Sequence, residues 1–556
     1  MPVNKAIVAL FTVALWSLLP TRLAAQTPLA TPAAGPAAAA LPQLGDTSTM
    51  TSADERRLGD RIAREIYRDP DYLDDPVLLN YVQEVWQPLL AAARVRGDLT
   101  PEIDERFAWK VLLNNERTVN AFALPGGYMG VNLGLLAVVS SRDELASVMG
   151  HELSHITQRH ISRLMAKNNQ QTPWVIGAMI LGALAASNSP DAGNALMVGG
   201  QALGAQSQLN FSRDMEREAD RIGFGVMTQA GVDPEGFVTM FDKLQQASQL
   251  NDNGGYPYLR SHPLTTERIA DMQSRLPLGT PHVAEVIPTP LHAMIAARAR
   301  VLSNAGADAL QNWQRQVNDT GFAARRLDQR VATLYGAALA ESHLHDTAVA
   351  QRDLQQLQSL LASGTQAAQV ARWLGVEIAL AARDLSAPLI QSMADSIKTA
   401  QTRPTPMATL LRPELMLQAQ VALLLNQADL LDPTSQTLQS WLALHPQDAL
   451  AWQWLASIET AGNQGLRALR AEAEAHAARL DYAGAQDRLR AAQQRIKASA
   501  SASTSADDIE ASIIDTRLRQ IDVHENPGRR TGALLRHHFD RQHRATGLAA
   551  PGPVRL

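Results

Sequence analysis

The sequence predicts an α+β domain over residues 47–280 followed by an all-α solenoid of stacked helix pairs over residues 290–497. Three observations carry that expectation. Apolar runs flank a Pro125-Gly126-Gly127 turn, the mark of a β-hairpin set among amphipathic helices. From about residue 290 the apolar spacing becomes continuously helical. Within that stretch, helix pairs carry small residues at packing positions with a period of about 34, which makes the solenoid tetratricopeptide-like.

The chain of 556 residues is long enough for several cores. Hydrophobic residues at 46% and charged residues at 19% exclude wholesale disorder. A net charge of −5 gives no electrostatic footprint for nucleic acid. There is no cysteine, so neither thiolate ligands nor a thiolate nucleophile enters the chemistry.

Residues 1–25 read as a signal peptide: Lys5, an apolar run from Ala6 to Leu19, Pro20, then small Ala25 before the cut. The run is shorter than the roughly 20 residues that span a bilayer, so export to the periplasm is expected. Residues 26–46 are an Ala/Pro-rich linker. Ser52 and Glu55 form a capping-box pattern opening a first helix, and a second helix fits Pro76 to Arg94. Phe107 to Leu113 reads as a strand, Asn120 to Asn132 as the hairpin, and Asp143 to Met165 as one helix. The apolar run at residues 174–186 fits a core or lid helix, with peripheral contact at a membrane surface as the alternative.

In the solenoid the clearest unit runs through Ala449, Leu455 and Ile458 to a turn at Gly462. Its partner helix carries Ala468, Ala471, Ala475 and Ala478, and a third helix follows Tyr482. Residues 498–556 are a Ser/Ala-rich linker, a last helix and a basic tail.

The chemistry lies in His151-Glu152-Leu153-Ser154-His155. Residues four apart share one helix face, so both imidazoles can reach one Zn²⁺, with Glu152 beside it as general base. A catalytic zinc needs a third protein ligand. His160, nine residues after His151, falls on the opposite side of a continuous helix and is assigned to structure or solvent. The better source is Glu216-Arg217-Glu218-Ala219-Asp220. Glu216 and Asp220 are four apart, so one can ligate while the other orients a ligating His, with His151 favoured; Glu218 faces elsewhere.

These motifs, with Asn120-Ala121-Phe122, Pro125-Gly126-Gly127, Ser261-His262-Pro263-Leu264 and Arg268, resemble the gluzincin metalloproteases that include HtpX and the CAAX prenyl endopeptidases. The likeness covers about residues 50–275 and implies a zincin-like metalloprotease domain with one Zn²⁺ per chain. Those relatives are often multi-spanning, whereas no spanning segment follows the leader here. A protease domain joined to helical repeats is instead similar to periplasmic proteases of outer-membrane protein quality control. That similarity implies unfolded or misassembled outer-membrane proteins, and the barrel-assembly machinery, as partners. The competing class is a chaperone or adaptor that binds through its repeats with vestigial hydrolysis; an intact Glu152 and a full ligand set argue against it.

Two weaker expectations complete the site. Asn120 and Ala121 offer an edge for an extended substrate strand. Pro263 holds His262 extended on a loop. There it is structural, or donates to the oxyanion, or fills zinc's open position and keeps the enzyme latent; the last is preferred. From the helical phase, Glu216→Ala is expected to lower zinc occupancy whereas Glu218→Ala is not. Elemental analysis of the two proteins decides between the carboxylates, and the reverse ranking would reject Glu216.

Overall fold

A computed structural model of the chain describes residues 50–167, 212–249, 255–277, 286–402, 410–498 and 505–525. The predicted leader, the Ala/Pro-rich stretch expected to be a linker, the apolar run at 174–186 and the basic C-terminal stretch lie outside the described residues. Among the described helices none is long and apolar enough to cross a membrane.

The first helix, α1 (Ser52–Arg68), opens where expected but with a different cap. Thr51 accepts from the Asp54 amide, and Glu55, instead of closing a capping box, is buried against Arg159 at 2.7 Å. α2 (Pro76–Arg96) follows the two-residue β1 (Tyr72–Leu73) and is capped by Asp75, with Pro76 in its first turn and Gly97 left-handed at its end. After α3 (Pro101–Arg106) comes β2 (Lys110–Asn114), later than the predicted Phe107 start. The difference is local: the Phe107 amide caps α3 and Trp109 adopts φ 50° before the strand can begin.

The hairpin forms as expected, β3 (Ala121–Leu124) against β4 (Tyr128–Asn132), antiparallel with Ala123 opposite Met129. Gly126 and Gly127 turn it at φ 73° and 86°, and a Cβ on Gly126 would lie 2.7 Å from Arg56 Cα, so only glycine fits. β2 pairs parallel with β4, giving the sheet order β1-β2-β4-β3 with β3 at one edge.

β4 leads through α4 (Leu133–Val138) into α5 (Arg142–Thr157). Ser141 accepts from the Glu144 amide at its start. Nearly every residue of α5 from Glu144 on is buried, so this is the core helix of the α+β part. The helix expected to run on to Met165 is broken. Gln158 caps α5, Arg159 takes φ 52°, and a separate α6 (His160–Lys167) departs in a new direction. α7 (Arg213–Gln229), capped by Ser212, then packs on α5 and α2. α8 (Glu235–Gln249), the short α9 (Tyr258–Ser261) and α10 (Thr266–Arg275) complete this part.

Beyond residue 286 every described element is helical. α11 (Pro290–Leu302), α12 (Ala307–Val317), α13 (Leu327–His343), α14 (Thr347–Leu360), α15 (Gln366–Ala381) and α16 (Pro388–Thr402) come first. After them come α17 (Arg412–Leu425), α18 (Ala428–Leu444), α19 (Ala449–Ala461), α20 (Gly465–Ala478), α21 (Tyr482–Ala498) and α22 (Ser505–Glu525). Consecutive helices pair, as α13 with α14 and α19 with α20 do. This array shares its apolar core with the α+β part. Leu78, Trp86 and Val148 lie in one cluster with Ile295, Tyr335 and Leu455. At the far end Leu480 packs with Leu58 and Ile62 of α1, and Arg64 Nε donates to the Leu480 carbonyl at 2.7 Å.

Arg298 locks the junction. It donates to both oxygens of Asp75 (2.9 and 2.6 Å) and both of Glu377 (2.8 and 2.9 Å), and to the Tyr335 hydroxyl at 3.1 Å. Its side chain is 5% exposed, so the charge survives burial only because the planar fork is fully matched. Arg298→Ala leaves Asp75 buried without a counter-charge, its hydrogen bond from the Leu78 amide apart, and is expected to destabilise the protein by about 3–5 kcal/mol. Denaturant unfolding of purified variant and parent checks this; a change below about 1 kcal/mol would remove the network from the account of how the two parts join.

Candidate metal centre and active site

α5 and α7 touch backbone to backbone. A Cβ built on Gly223 would lie 3.0 Å from the carbonyl carbon of Gly150 and from the His151 amide nitrogen. With both residues glycine, the acidic first half of α7 is brought over the two histidines of α5.

His151 and His155 point to one place, their Nε2 atoms 3.0 Å apart. Glu216 brings Oε2 to 3.5 Å of His151 Nε2 and Oε1 to 3.4 Å of His155 Nε2. His262, which caps α9 at φ −124° and ψ 74°, short of the extended geometry expected before Pro263, joins them: Nδ1 is 3.0 Å from Glu216 Oε1 and 3.3 Å from His151 Nε2. All four residues are buried, and one ligand atom from each lies within 4.8 Å of the others. Glu216 Oε2 and Glu152 Oε1 are buried without a hydrogen bond. Arg268 Nη1 lies 2.8 Å from Glu216 Oε2, an ion pair at an angle that makes no hydrogen bond. Imidazole nitrogens and an oxygen with an unspent lone pair, converging out of water, are a donor set that suits a metal ion.

The second faces of these ligands are held. His151 Nδ1 lies 2.8 Å from Asp220 Oδ1. Arg268 grips Asp220 with two hydrogen bonds, 2.6 and 2.7 Å, and is itself buried. Burial opposes the charged form of Asp220, but the Arg268 and His151 hydrogen bonds outweigh it and keep its pKa below the usual range. Burial likewise opposes the charge on Glu216, and His262, His151 and His155 outweigh it, holding the carboxyl well below its ordinary value. For His151 burial is again the opposing cause; hydrogen bonds with Asp220 and Glu216 lift it to about 9. His155 is pushed well below its ordinary value by burial and stays neutral. The cluster therefore holds its carboxylates charged and attracts positive charge.

Glu152 sits one residue beyond the first His, with no solvent exposure. Its Oε2 accepts the Ala123 amide of edge strand β3 at 2.8 Å, and its Oε1 faces His262 Nε2 at 3.4 Å. Burial raises its pKa. One oxygen is thus anchored and the other left available beside the cluster, as a proton-accepting carboxylate requires.

His151, Glu152, His155, Glu216, Asp220 and His262 are thus gathered in one place. Along the predicted substrate edge, the Asn120 carbonyl is taken by the Asn132 amide. Ala121 keeps the strand edge that Ala123 also presents, since alternate residues point the same way. Of the two places assigned to His160, structure or solvent, burial selects structure. The break at Arg159 swings it back, fully buried, with Nδ1 2.8 Å from His155 Nδ1. Glu218, correctly away from the ligand cluster, bonds to His160 Nε2 at 3.1 Å and to Arg163 at 2.8 Å. Arg268, and Tyr258 stacked on His262 at 4.6 Å, were not given site roles from sequence. The available signal was the pairing of a buried acidic helix with a basic residue one helix turn beyond the His262 loop.

A cation site with an adjacent buried carboxylate, laid against an edge strand, defines the class: this is a metalloendopeptidase. Comparison with known proteins agrees. The model for peptidase family M48 matches residues 80–276, from within α2 to the end of α10. A putative beta-barrel assembly-enhancing protease of Vibrio cholerae is 33% identical over 287 residues, 49% of this chain and 54% of that protein. The beta-barrel assembly-enhancing protease of Escherichia coli K12 is 29% identical over 488 residues, 84% of this chain and 90% of that one. Mitochondrial metalloendopeptidase OMA1 of Arabidopsis thaliana is 35% identical over 164 residues, 30% of this chain and 31% of that one. The match to peptidase family M48 thus lies at residues 80–276, and the likeness to the E. coli protein runs on through most of the chain.

Proposed function

We propose that the chain is a zinc-dependent endopeptidase of the periplasm that acts on unfolded or misassembled outer-membrane proteins. The observation that carries the reading is the buried convergence of His151, His155 and Glu216 beside Glu152. Two histidines and a glutamate form a known catalytic zinc set, and these three residues would hold the ion. When bound, zinc supplies Lewis acidity and lowers the pKa of its water towards ~7.

The chain's own residues do the rest. Glu152, anchored through Oε2 to Ala123, accepts a proton on Oε1 and returns it to the leaving amine; its burial-raised pKa suits it to carry that proton. Asp220 fixes the tautomer and direction of His151. An extended substrate pairs along Ala121 on the edge of β3, which brings its backbone beside Glu152.

The substrate class is supported by the relatives' names and by likeness to the E. coli protein that extends through the helical array, and the place by the leader read at residues 1–25. In this reading the array of α11–α22 is tetratricopeptide-like and recognises the client or the barrel-assembly machinery. His262 is the fourth member of the cluster, so it fills the position that water needs and keeps the enzyme latent until the α9 turn moves. This favours a plug over an oxyanion donor.

Two measurements test the reading. Glu152→Gln is expected to keep its zinc and lose about 10²-fold or more in cleavage of an unfolded outer-membrane protein; full activity on metal-verified protein would reject Glu152 as base. His262→Ala, matched in zinc content, should cleave faster than the parent. A fall would instead support the oxyanion role, and no change on several substrates would return His262 to structure.

A further inference from the structure

His160 has both ring nitrogens engaged in one directed chain, which packing alone does not require. Its ring is fully buried and stands edge-on to His155, with centroids 4.8 Å apart at 78°. The turn that delivers it is clamped. Arg159, left-handed at φ 52°, reaches Glu55 at 2.7 Å and also donates to the Met50 carbonyl, so the start of α1 holds the break between α5 and α6.

We propose that His160 and Glu218 are positioning residues for His155, forming a second support to the metal centre independent of Asp220. The inference rests on the reading of His155 as a metal ligand. His155 Nε2 faces the cluster, 3.0 Å from His151 Nε2 and 3.4 Å from Glu216 Oε1. A neutral imidazole that ligates through Nε2 carries its proton on Nδ1. That N–H therefore donates to His160 Nδ1 at 2.8 Å. His160, accepting on Nδ1, must carry its own proton on Nε2, which donates to Glu218 Oε2 at 3.1 Å. Arg163 Nη1 donates to the same oxygen at 2.8 Å. Only one set of donors and acceptors satisfies the whole chain, and it fixes the tautomer of His155 as the ligand needs it. The arrangement parallels the other histidine, where Asp220 holds His151 Nδ1 and Arg268 holds Asp220. Each support ends on an arginine, and both carboxylates come from α7. His160 is no further ligand, since its contact is with the side of His155 turned away from the cluster.

The test uses the full-length protein with His160→Phe, His160→Gln, Glu218→Gln and His155→Ala. Zinc affinity is measured by competition with a chromophoric chelator, and the Co²⁺-loaded protein gives a visible spectrum that reports the ligand field. His160→Phe and Glu218→Gln are each expected to weaken zinc binding about 10–100-fold and to shift the Co²⁺ spectrum. Such a loss is compatible with zinc retained through purification. Combining the two should cost little more than one alone, because both cut the same chain. His160→Gln, whose amide accepts and donates across a similar span, should restore affinity and spectrum towards the parent. Glu218→Gln lies at a partly exposed position and guards against a fold defect at the buried one. Unchanged affinity and spectrum in both, with His155→Ala impaired, would overturn the relay alone. Parent-like affinity in His155→Ala would overturn the ligand reading itself.

Discussion

The contact on which the site depends is the one between Gly150 and Gly223. A Cβ on Gly223 would lie 3.0 Å from the Gly150 carbonyl carbon and the His151 amide nitrogen, tight enough to push α7 off the start of the His151 turn, whereas one on Gly150 would meet Gly223 at ordinary contact distance. The two helices carry His151, Glu152, His155, Glu216, Glu218 and Asp220 between them, so the distances from one helix to the other follow from that contact. A ligand set demands placement within a fraction of an ångström, which helix-borne side chains on a rigid contact can supply. α5 is buried almost throughout, so it cannot tilt to compensate.

That placement concentrates charge in a dry volume. Isolated, each buried carboxylate would lose several kcal/mol of hydration. Here each has a partner: Asp220 has Arg268, Glu216 has the imidazoles and the same guanidinium, and Glu152 has a backbone amide. Arg268 reaches the site from α10, so the segment bearing His262 and the segment neutralising the acids are one stretch of chain. Arg268 is tied both to Asp220 and to the Pro263 carbonyl, which holds the chain just after His262 against α7.

The helical array is not a detachable appendage. α11 packs on α2 and α4, α17 packs on α2, and the α20–α21 turn returns to α1 through Arg64 and Leu480. The acidic tip before α2 serves both sides of this junction, Asp75 holding Arg298 and Asp74 lying 2.8 Å from Arg412. A boundary near residue 285 separates two kinds of secondary structure, while apolar packing continues across it. α2, on which the array packs, itself packs directly on α5.

By itself the sequence determined what is local. His151 and His155 share a face because they are four apart; the Pro-Gly-Gly turn and its flanks form a hairpin; small residues at helical spacing pair α19 with α20. It also marked Glu216 and Asp220 as a pair, by the same periodicity. Whatever depended on breaking that periodicity was decided only in three dimensions. His160 falls on the wrong side of a continuous helix, and only the left-handed Arg159, held by Glu55 about a hundred residues earlier, turns it inward. The roles of Glu218 and Arg268, and the reach of His262 into the cluster, were likewise set by contacts between segments far apart in the chain. Local propensity specifies which residues share a face. Which faces meet is fixed by packing between distant segments, and a single chain read in order does not display it.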